Sequence, residues 1–322
     1  MLNVAVVGLG WWGRTVFGLL EGNGKLKVVR RVDPAVKEAG VTPDYEEALR
    51  DPAVQGVVLC TPHTLHTGQI VQAAAAKKHV FCEKPLSLSR KDVLKAVKEI
   101  NSNRVVLAVG HEKRFEPPVQ ELFRCIQAGE IGAPLQIEAN FSQDKFLSLA
   151  ADNWRLSGKE APAGPMTATG IHLLDLSVAV FGPAKRVFSV VKKLGSHLSN
   201  GDTLAILVDF GTGHALLSAV LATPFDGRFA VYGSKGWVEV RDKAHPEAPQ
   251  GWVLTKNVRG KGKSVTEYPA SRAVLANLEA FADAAAGRAP YPVPQEQMIA
   301  NVSALEAIFK SAQSGKVEEV DA

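Results

Sequence analysis

The sequence predicts an α/β protein in which a doubly wound parallel sheet is followed by a second, sheet-rich α/β domain. Three observations carry this. Short, near-continuous apolar runs alternate with helix-length segments over the first third of the chain. A glycine-rich turn joins the first run to the first helix. From residue 184 to 258, strand-like runs follow one another with no helix between them.

The first domain is expected to span 1–118. Its strands are read at Val4–Val7, Val28–Val32, Val54–Cys60, Val80–Cys82 and Val105–Val109, near-continuous apolar runs as expected where both faces of a parallel sheet are covered. Helices are expected at about 12–20, 45–50, 65–77 and 89–101. In the last of these Ser89 is placed to cap, and Val93, Leu94, Val97 and Ile100 recur at helical spacing.

The pattern changes at Pro117–Pro118, and 119–322 is assigned to the second domain. There a helix of about 118–128 ends at Gly129 and Gly132, a strand occupies 134–142, and a polar, poorly periodic stretch runs over 143–165. An apolar helix follows at about 170–181. Strands are then expected at Val187–Lys192, Thr203–Phe210, His214–Leu221, Arg228–Tyr232, Trp237–Arg241 and Trp252–Lys256. Gly211-Thr212-Gly213 reads as a hairpin turn and Gly260–Gly262 as a loop. Helices at about 271–286 and 295–313 complete the chain, the last expected to pack back on the first domain.

Composition narrows the partners. Of 322 residues 46% are hydrophobic and 22% charged, with a net charge of +4, an ordinary globular balance. Lys and Arg are interleaved with Asp and Glu, which argues against nucleic acid. Cys60, Cys82 and Cys125 show no metal-ligand spacing and no metal is expected; Cys60 and Cys82 close apolar runs, as reduced thiols do. The chain enters a strand at Leu2 with no leader pattern, and no apolar run approaches the roughly 20 residues of a membrane span. A soluble, cytoplasmic chain without a membrane partner is expected.

The glycine-rich turn is Gly8-Leu9-Gly10-Trp11-Trp12-Gly13, directly after a strand and opening a helix. In that context each glycine has a reason: a tight turn at Gly8, close approach of backbone to a diphosphate at Gly10, and close helix–strand packing at Gly13. The anion would rest on the helix N-terminus, where N–H groups of Trp11 and Trp12 converge. Asp33 ends the second strand, placed to accept both ribose hydroxyls. The first domain is therefore read as a Rossmann domain binding a nicotinamide dinucleotide. Asp33 favours NAD over NADP, while Arg31, two residues back on the same strand face, softens that preference.

Further motifs follow: Thr61-Pro62-His63-Thr64-Leu65-His66, Glu83-Lys84-Pro85, Gly110-His111-Glu112-Lys113-Arg114-Phe115, Trp154-Arg155, and Gly170-Ile171-His172-Leu173-Leu174-Asp175. In this order and spacing the chain resembles, over nearly its whole length, the glucose–fructose oxidoreductase, inositol dehydrogenase and rhizopine-catabolism family (Gfo/Idh/MocA). The resemblance implies a second domain with a large open, mostly antiparallel sheet that mediates homodimers or homotetramers. It also implies oxidation or reduction of sugars, cyclitols and related alcohols. Cys60, Thr61 and Pro62 would lie against the nicotinamide half of the cofactor with His63 and His66 beside them. Glu83 and Lys84 would sit near its ribose, with Lys84 facing substrate. Members often carry aspartate four residues before the histidine; here that position is Ala168, which argues against a cyclitol pocket.

Lys84 and His172 are the catalytic candidates. Lys84 leaves a strand at its carboxyl end, where ligands collect in open α/β sheets. His172 and Asp175 share one face of an apolar helix, which suits either a satisfied core pair or an active-site pair. With the resemblance, His172 would exchange the hydroxyl proton and Lys84 would stabilise alkoxide charge, while Asp175 orients His172 or binds a substrate hydroxyl. His111, Arg114, Trp154 and Arg155 are further substrate-binding candidates. His63 and His66, three apart, have no third ligand near them. Two other functions fit a dinucleotide domain: a non-catalytic sensor or regulator, and cleavage of glycosides through transient oxidation.

Overall fold

A computed structural model describes residues 1–321. The chain opens with β1 (Leu2–Val7), α1 (Trp11–Leu20), β2 (Leu26–Val32), β3 (Val41–Thr42), α2 (Tyr45–Arg50), β4 (Gly56–Leu59), α3 (His66–Ala75), β5 (His79–Cys82), α4 (Arg90–Asn103) and β6 (Leu107–Val109). The six strands are parallel, in the order β3-β2-β1-β4-β5-β6, the doubly wound arrangement. Strand alternation sends successive side chains to opposite faces. Val4 and Val6, Val58, Phe81 and Ala108 enter one apolar core, whereas Ala5 and Val7, Val57 and Leu59, Val80 and Cys82 enter the other. That two-sided burial explains why these strands read as continuous apolar runs. Ser89 caps α4 as expected, its Oγ accepting from the Asp92 N–H at 3.2 Å.

The remaining elements are α5 (Pro117–Gln127), β7 (Pro134–Ser142), α6 (Ile171–Phe181), β8 (Arg186–Lys192), β9 (Thr203–Asp209), β10 (His214–Val220), β11 (Asp226–Gly233), β12 (Gly236–Asp242), β13 (Trp252–Val258), β14 (Gly262–Tyr268), α7 (Ala273–Ala285), α8 (Gln295–Ser314) and β15 (Glu318–Glu319). A nine-stranded sheet runs β14-β13-β12-β11-β7-β10-β9-β8-β15, antiparallel except where β7 and β10 pair in parallel. One face of this sheet carries α5 and α6. On the other face Phe188, Val190, Leu207 and Leu216 stay exposed. The residues around Gly260–Gly262 are only in part a loop, because Gly262 begins β14. Every side chain of β14 but the last is exposed, so its sequence carries no alternation to read.

Two compact units result. The first comprises Met1–Glu112 with Val274–Val302, and the second comprises Lys113–Ala273 with the segment from Ser303 on. Within the first unit α7 covers the sheet face that carries α1. Its Phe281 is wholly buried, with its ring centroid 5.9 Å from that of Phe81 in β5. Phe281→Ala should cost about 3–5 kcal/mol of unfolding free energy, the range for a large-to-small aromatic truncation in a core, read from urea midpoints of the two proteins.

Candidate functional site

In the first unit the carboxyl edge of the sheet is shaped by main chain brought unusually close. Gly8 sits at φ +87°, and a Cβ on it would stand 2.8 Å from the Cys60 carbonyl oxygen. A Cβ on Gly13 would stand 1.8 Å from the Gly8 oxygen. Gly10 differs: nothing lies within 4 Å of where its Cβ would be. It is the N-cap of α1 and offers no side chain to the first turn's N–H groups. Open space over an uncapped helix start is what a diphosphate needs, so these residues fit a dinucleotide. Trp12 is half-buried and packs on the core beneath α1, while Trp11 is exposed.

Asp33 is locked beside that turn. Its Oδ2 accepts from the Leu9 N–H (2.7 Å), and its Oδ1 accepts from Ala35 (2.8 Å) and Val36 (3.2 Å). Oδ2 keeps acceptor capacity for a hydroxyl. Arg31 does not turn to Asp33. Its guanidinium donates to the Ala39 carbonyl (2.6 Å), lies over the Phe17 ring and approaches Glu38 at 3.8 Å. Arg14 pairs with the same Glu38 at 2.6 Å and holds its carboxyl below the usual range. One glutamate thus occupies both arginines near the Asp33 edge.

After β4, Thr61 and His63 are buried and Pro62 is half-buried. His66 was expected beside the cofactor; its side chain is instead fully buried. Its Nδ1 lies 2.7 Å from the Pro85 carbonyl and its Nε2 3.0 Å from the Thr61 carbonyl; the neutral ring donates to one of the two and packs between the strand-end turns. Glu83 is buried too, and its carboxylate lies over Gly110, where any Cβ would meet it at 2.5 Å. Of residues 81–87 only Lys84 is not buried. The run therefore leaves one lysine half-buried at the sheet's carboxyl edge. The Lys84–Pro85 bond is cis.

In the second unit His172 and Asp175 both lie on α6, as the spacing predicts. Asp175 is held by an arginine. Both carboxylate oxygens take a 2.7 Å bond from Arg114, whose Nη2 also donates to the Asp175 carbonyl at 3.1 Å. This forked, buried pair ties the segment before α5 to the helix that carries His172. The His172 imidazole packs 5.9 Å from the Phe141 ring, which also meets Phe225 and His245. Arg155 stacks its guanidinium on Trp154, 4.3 Å from the ring centroid. The loop that holds both wraps around Asn200, whose amide donates to the carbonyls of Arg155 (2.8 Å) and Ala161 (2.7 Å).

Sequence reasoning missed a second buried cluster. Lys113 pairs with Asp242 (3.0 Å) and Glu116 (3.2 Å), and Trp252 Nε1 also donates to Asp242 (3.0 Å). Lys113 and Asp242 are 129 residues apart, so no local spacing marks the pair. His111 is buried. Among the described residues no three His, Cys, Asp or Glu side chains are grouped to hold a metal, and no helix is long and apolar enough to cross a membrane.

Two family models match. The oxidoreductase family with an NAD-binding Rossmann fold covers residues 2–111, and the GFO/IDH/MocA C-terminal domain covers 119–239. The uncharacterized oxidoreductase YrbE of Bacillus subtilis is 29% identical over 204 residues, 61% of this chain, which spans only 58% of that relative's length. Myo-inositol 2-dehydrogenase of Thermotoga maritima is 28% identical over 85% of this chain and 77% of its own. The crystal structure of aldose-aldose oxidoreductase from Caulobacter crescentus, complexed with glycerol, superposes with a TM-score of 0.86 at 20% identity, covering 99% of each chain.

Burial pushes two histidines of the first unit, His66 and His79, below the ordinary histidine value. At His66 the two carbonyls oppose burial but do not outweigh it. The native state therefore keeps both rings neutral at a pH where the unfolded chain, titrating near 6.5, takes up protons. Stability should be complete above about pH 6.5 and fall on acidification toward the depressed native values, with the buried His66 contributing more than the partly exposed His79. Urea midpoints between pH 7.5 and 5 check this, and His79→Gln should flatten the slope.

Proposed function

The chain belongs to the Gfo/Idh/MocA oxidoreductase family, and from that premise we propose that it moves hydride between a nicotinamide dinucleotide and the carbinol or carbonyl carbon of a small cyclic alcohol, sugar or polyol. The observation that carries the reading is the glycine cradle: an occupied Cβ is impossible at Gly8 and Gly13, and the space over Gly10 is open. Gly8–Gly13 would hold the diphosphate, Asp33 the ribose hydroxyls, and Thr61, Pro62, His63 and Glu83 the nicotinamide half. When bound, the nicotinamide ring supplies or accepts the hydride. The Lys84 ammonium would donate to the substrate oxygen and stabilise developing alkoxide charge. His172 would take or return the hydroxyl proton, held in place by Phe141 and by the Arg114–Asp175 anchor of its helix. The myo-inositol 2-dehydrogenase of Thermotoga maritima supports an alcohol substrate.

The cofactor in this reading is NAD. A 2′-phosphate would meet Asp33, whose carboxylate is fixed by three N–H groups, while Arg14 and Arg31 are engaged by Glu38. Association into a homodimer or homotetramer in the cytoplasm belongs to the same proposal; the exposed apolar row of Phe188, Val190, Leu207 and Leu216 supports a self-associating face.

Lys84→Met should lower kcat by about 10²–10⁴-fold while NADH affinity stays within a few-fold, measured by NADH absorbance and by fluorescence titration. Turnover equal to the parent protein would reject the role of Lys84. Glu38→Gln should release both arginines and move the ratio of kcat/KM for NAD over NADP toward NADP by about tenfold or more. An unmoved ratio would show that Glu38 does not set cofactor choice.

A further inference from the structure

The long sheet of the second unit ends in open main chain. β14 pairs with β13 on one side, and among the described residues no strand lies on its other side. The bonding pattern fixes which groups face out. The Lys243 N–H donates to the Gly251 carbonyl (3.0 Å) and the Arg259 N–H to the Lys235 carbonyl (2.8 Å), extending the β12–β13 register by one residue at each end. Odd-numbered residues of β13 therefore bond β12, and even-numbered ones bond β14. Across from them, Trp252 faces Tyr268, Leu254 faces Thr266, Lys256 faces Ser264 and Val258 faces Gly262. The even-numbered residues of β14 thus turn their N–H and C=O groups inward. Those of Lys263, Val265 and Glu267 point away from the sheet.

The side chains of these three residues share one face of the strand, and all three are exposed. Proteins commonly blunt an open edge with lysine, proline or a covering loop. Here the lysine is matched instead, because Lys263 and Glu267 stand two residues to either side of Val265. Laid antiparallel about Val265, two copies set each Lys263 against the partner's Glu267, and opposite charges directly across strands attract. A shift of one residue faces a charge with Val265, and a shift of two sets lysine on lysine or glutamate on glutamate. Glu267 lies 2.6 Å from Lys243 yet keeps 72% of its side chain exposed, so it has room for a second ammonium. Pro269, next in the outward phase, has no N–H and closes the edge there.

We propose that β14 is a self-complementary docking edge, which pairs antiparallel with β14 of a second copy of this chain about a two-fold axis at Val265. The two nine-stranded sheets then continue into one another. Each of the three facing pairs, Lys263 with Glu267, Val265 with Val265 and Glu267 with Lys263, exchanges both of its main-chain bonds. The contact is isologous, so it closes at two copies. One strand's length of contact is small, and the pairing is accordingly weak, concentration-dependent and loosened by salt. It uses the sheet's edge, whereas the apolar row of Phe188, Val190, Leu207 and Leu216 lies on the sheet's face. It also stands independently of the hydride-transfer reading.

The test is sedimentation velocity of the full chain over a range of concentrations at low salt, joined to cysteine cross-linking. Lys263→Glu and Glu267→Lys should each weaken association at least tenfold, and the two together should restore it to within a few-fold of the parent. Val265→Pro removes an N–H that faces away from β13, so it should abolish the pairing with no change in melting temperature. Facing residues of an antiparallel bonded pair stand about 5.5 Å apart at Cα, within disulfide range. Val265→Cys should therefore cross-link to itself under copper–phenanthroline oxidation, above the blank set by the parent's own three cysteines. Lys263→Cys and Glu267→Cys should not cross-link alone but should do so when mixed. The proposal is overturned if association is unchanged in all three single variants, if the double charge reversal restores nothing, or if Val265→Cys links no better than Lys263→Cys alone. The cross-links decide the matter even if Val265→Pro fails to fold.

Discussion

Three main-chain segments meet where β1 ends, and the meeting admits no Cβ. Gly13 of α1 rests on the Gly8 carbonyl, and Gly8 rests on the Cys60 carbonyl beyond β4. Because α1 is pressed this close, its first turn opens over Gly10, an N-cap that offers no side chain to the N–H groups there. The positive end of the helix is thereby delivered to the sheet's carboxyl edge. The ribose-side acidic group is fixed by the same turn, since the Leu9 N–H holds the Asp33 carboxylate. One steric condition sets up both halves of the nucleotide edge.

Elsewhere buried polar pairs do the positioning that glycine does here. The His66 ring joins the turn after β4 to the turn after β5, and that second turn presents Lys84. In the second unit the Arg114–Asp175 fork anchors α6, and α6 presents His172. A buried charge pair is weak evidence for net stability, since an apolar pair of like shape can match it. Its directional bonds do fix the rotation and height of the helix, which an apolar contact leaves looser.

Much of the fold was legible because burial leaves a period in the sequence. The strand at 134–142 is found where the apolar alternation puts it, and α6 is found at Ile171–Phe181 against an expectation of about 170–181. What left no period was not legible: β14 lies with its side chains in solvent, and β3 and β15 are two residues each. The glycine fingerprint was legible because each glycine answers a local backbone demand. The fate of Arg114 and Asp175 was not, since the partners are 61 residues apart and a paired arginine looks like a ligand-binding one in sequence. The burial of His66 was hidden for the same reason, its second carbonyl lying 19 residues away.

The π-type turn before α6 bears on how this chain tolerates change in length. Such a turn holds one residue more than an α-helical turn, and an α-helix advances about 100° per residue. Loss of a single residue between Met166 and Gly170 would therefore regularise the backbone yet swing every later side chain of α6 by roughly a quarter of a circle. The imidazole at 172 would leave Phe141, and the carboxylate at 175 would leave its guanidinium. Insertions and deletions in this lineage should accordingly gather in the loop before Met166 and spare the five residues that set the phase of the helix.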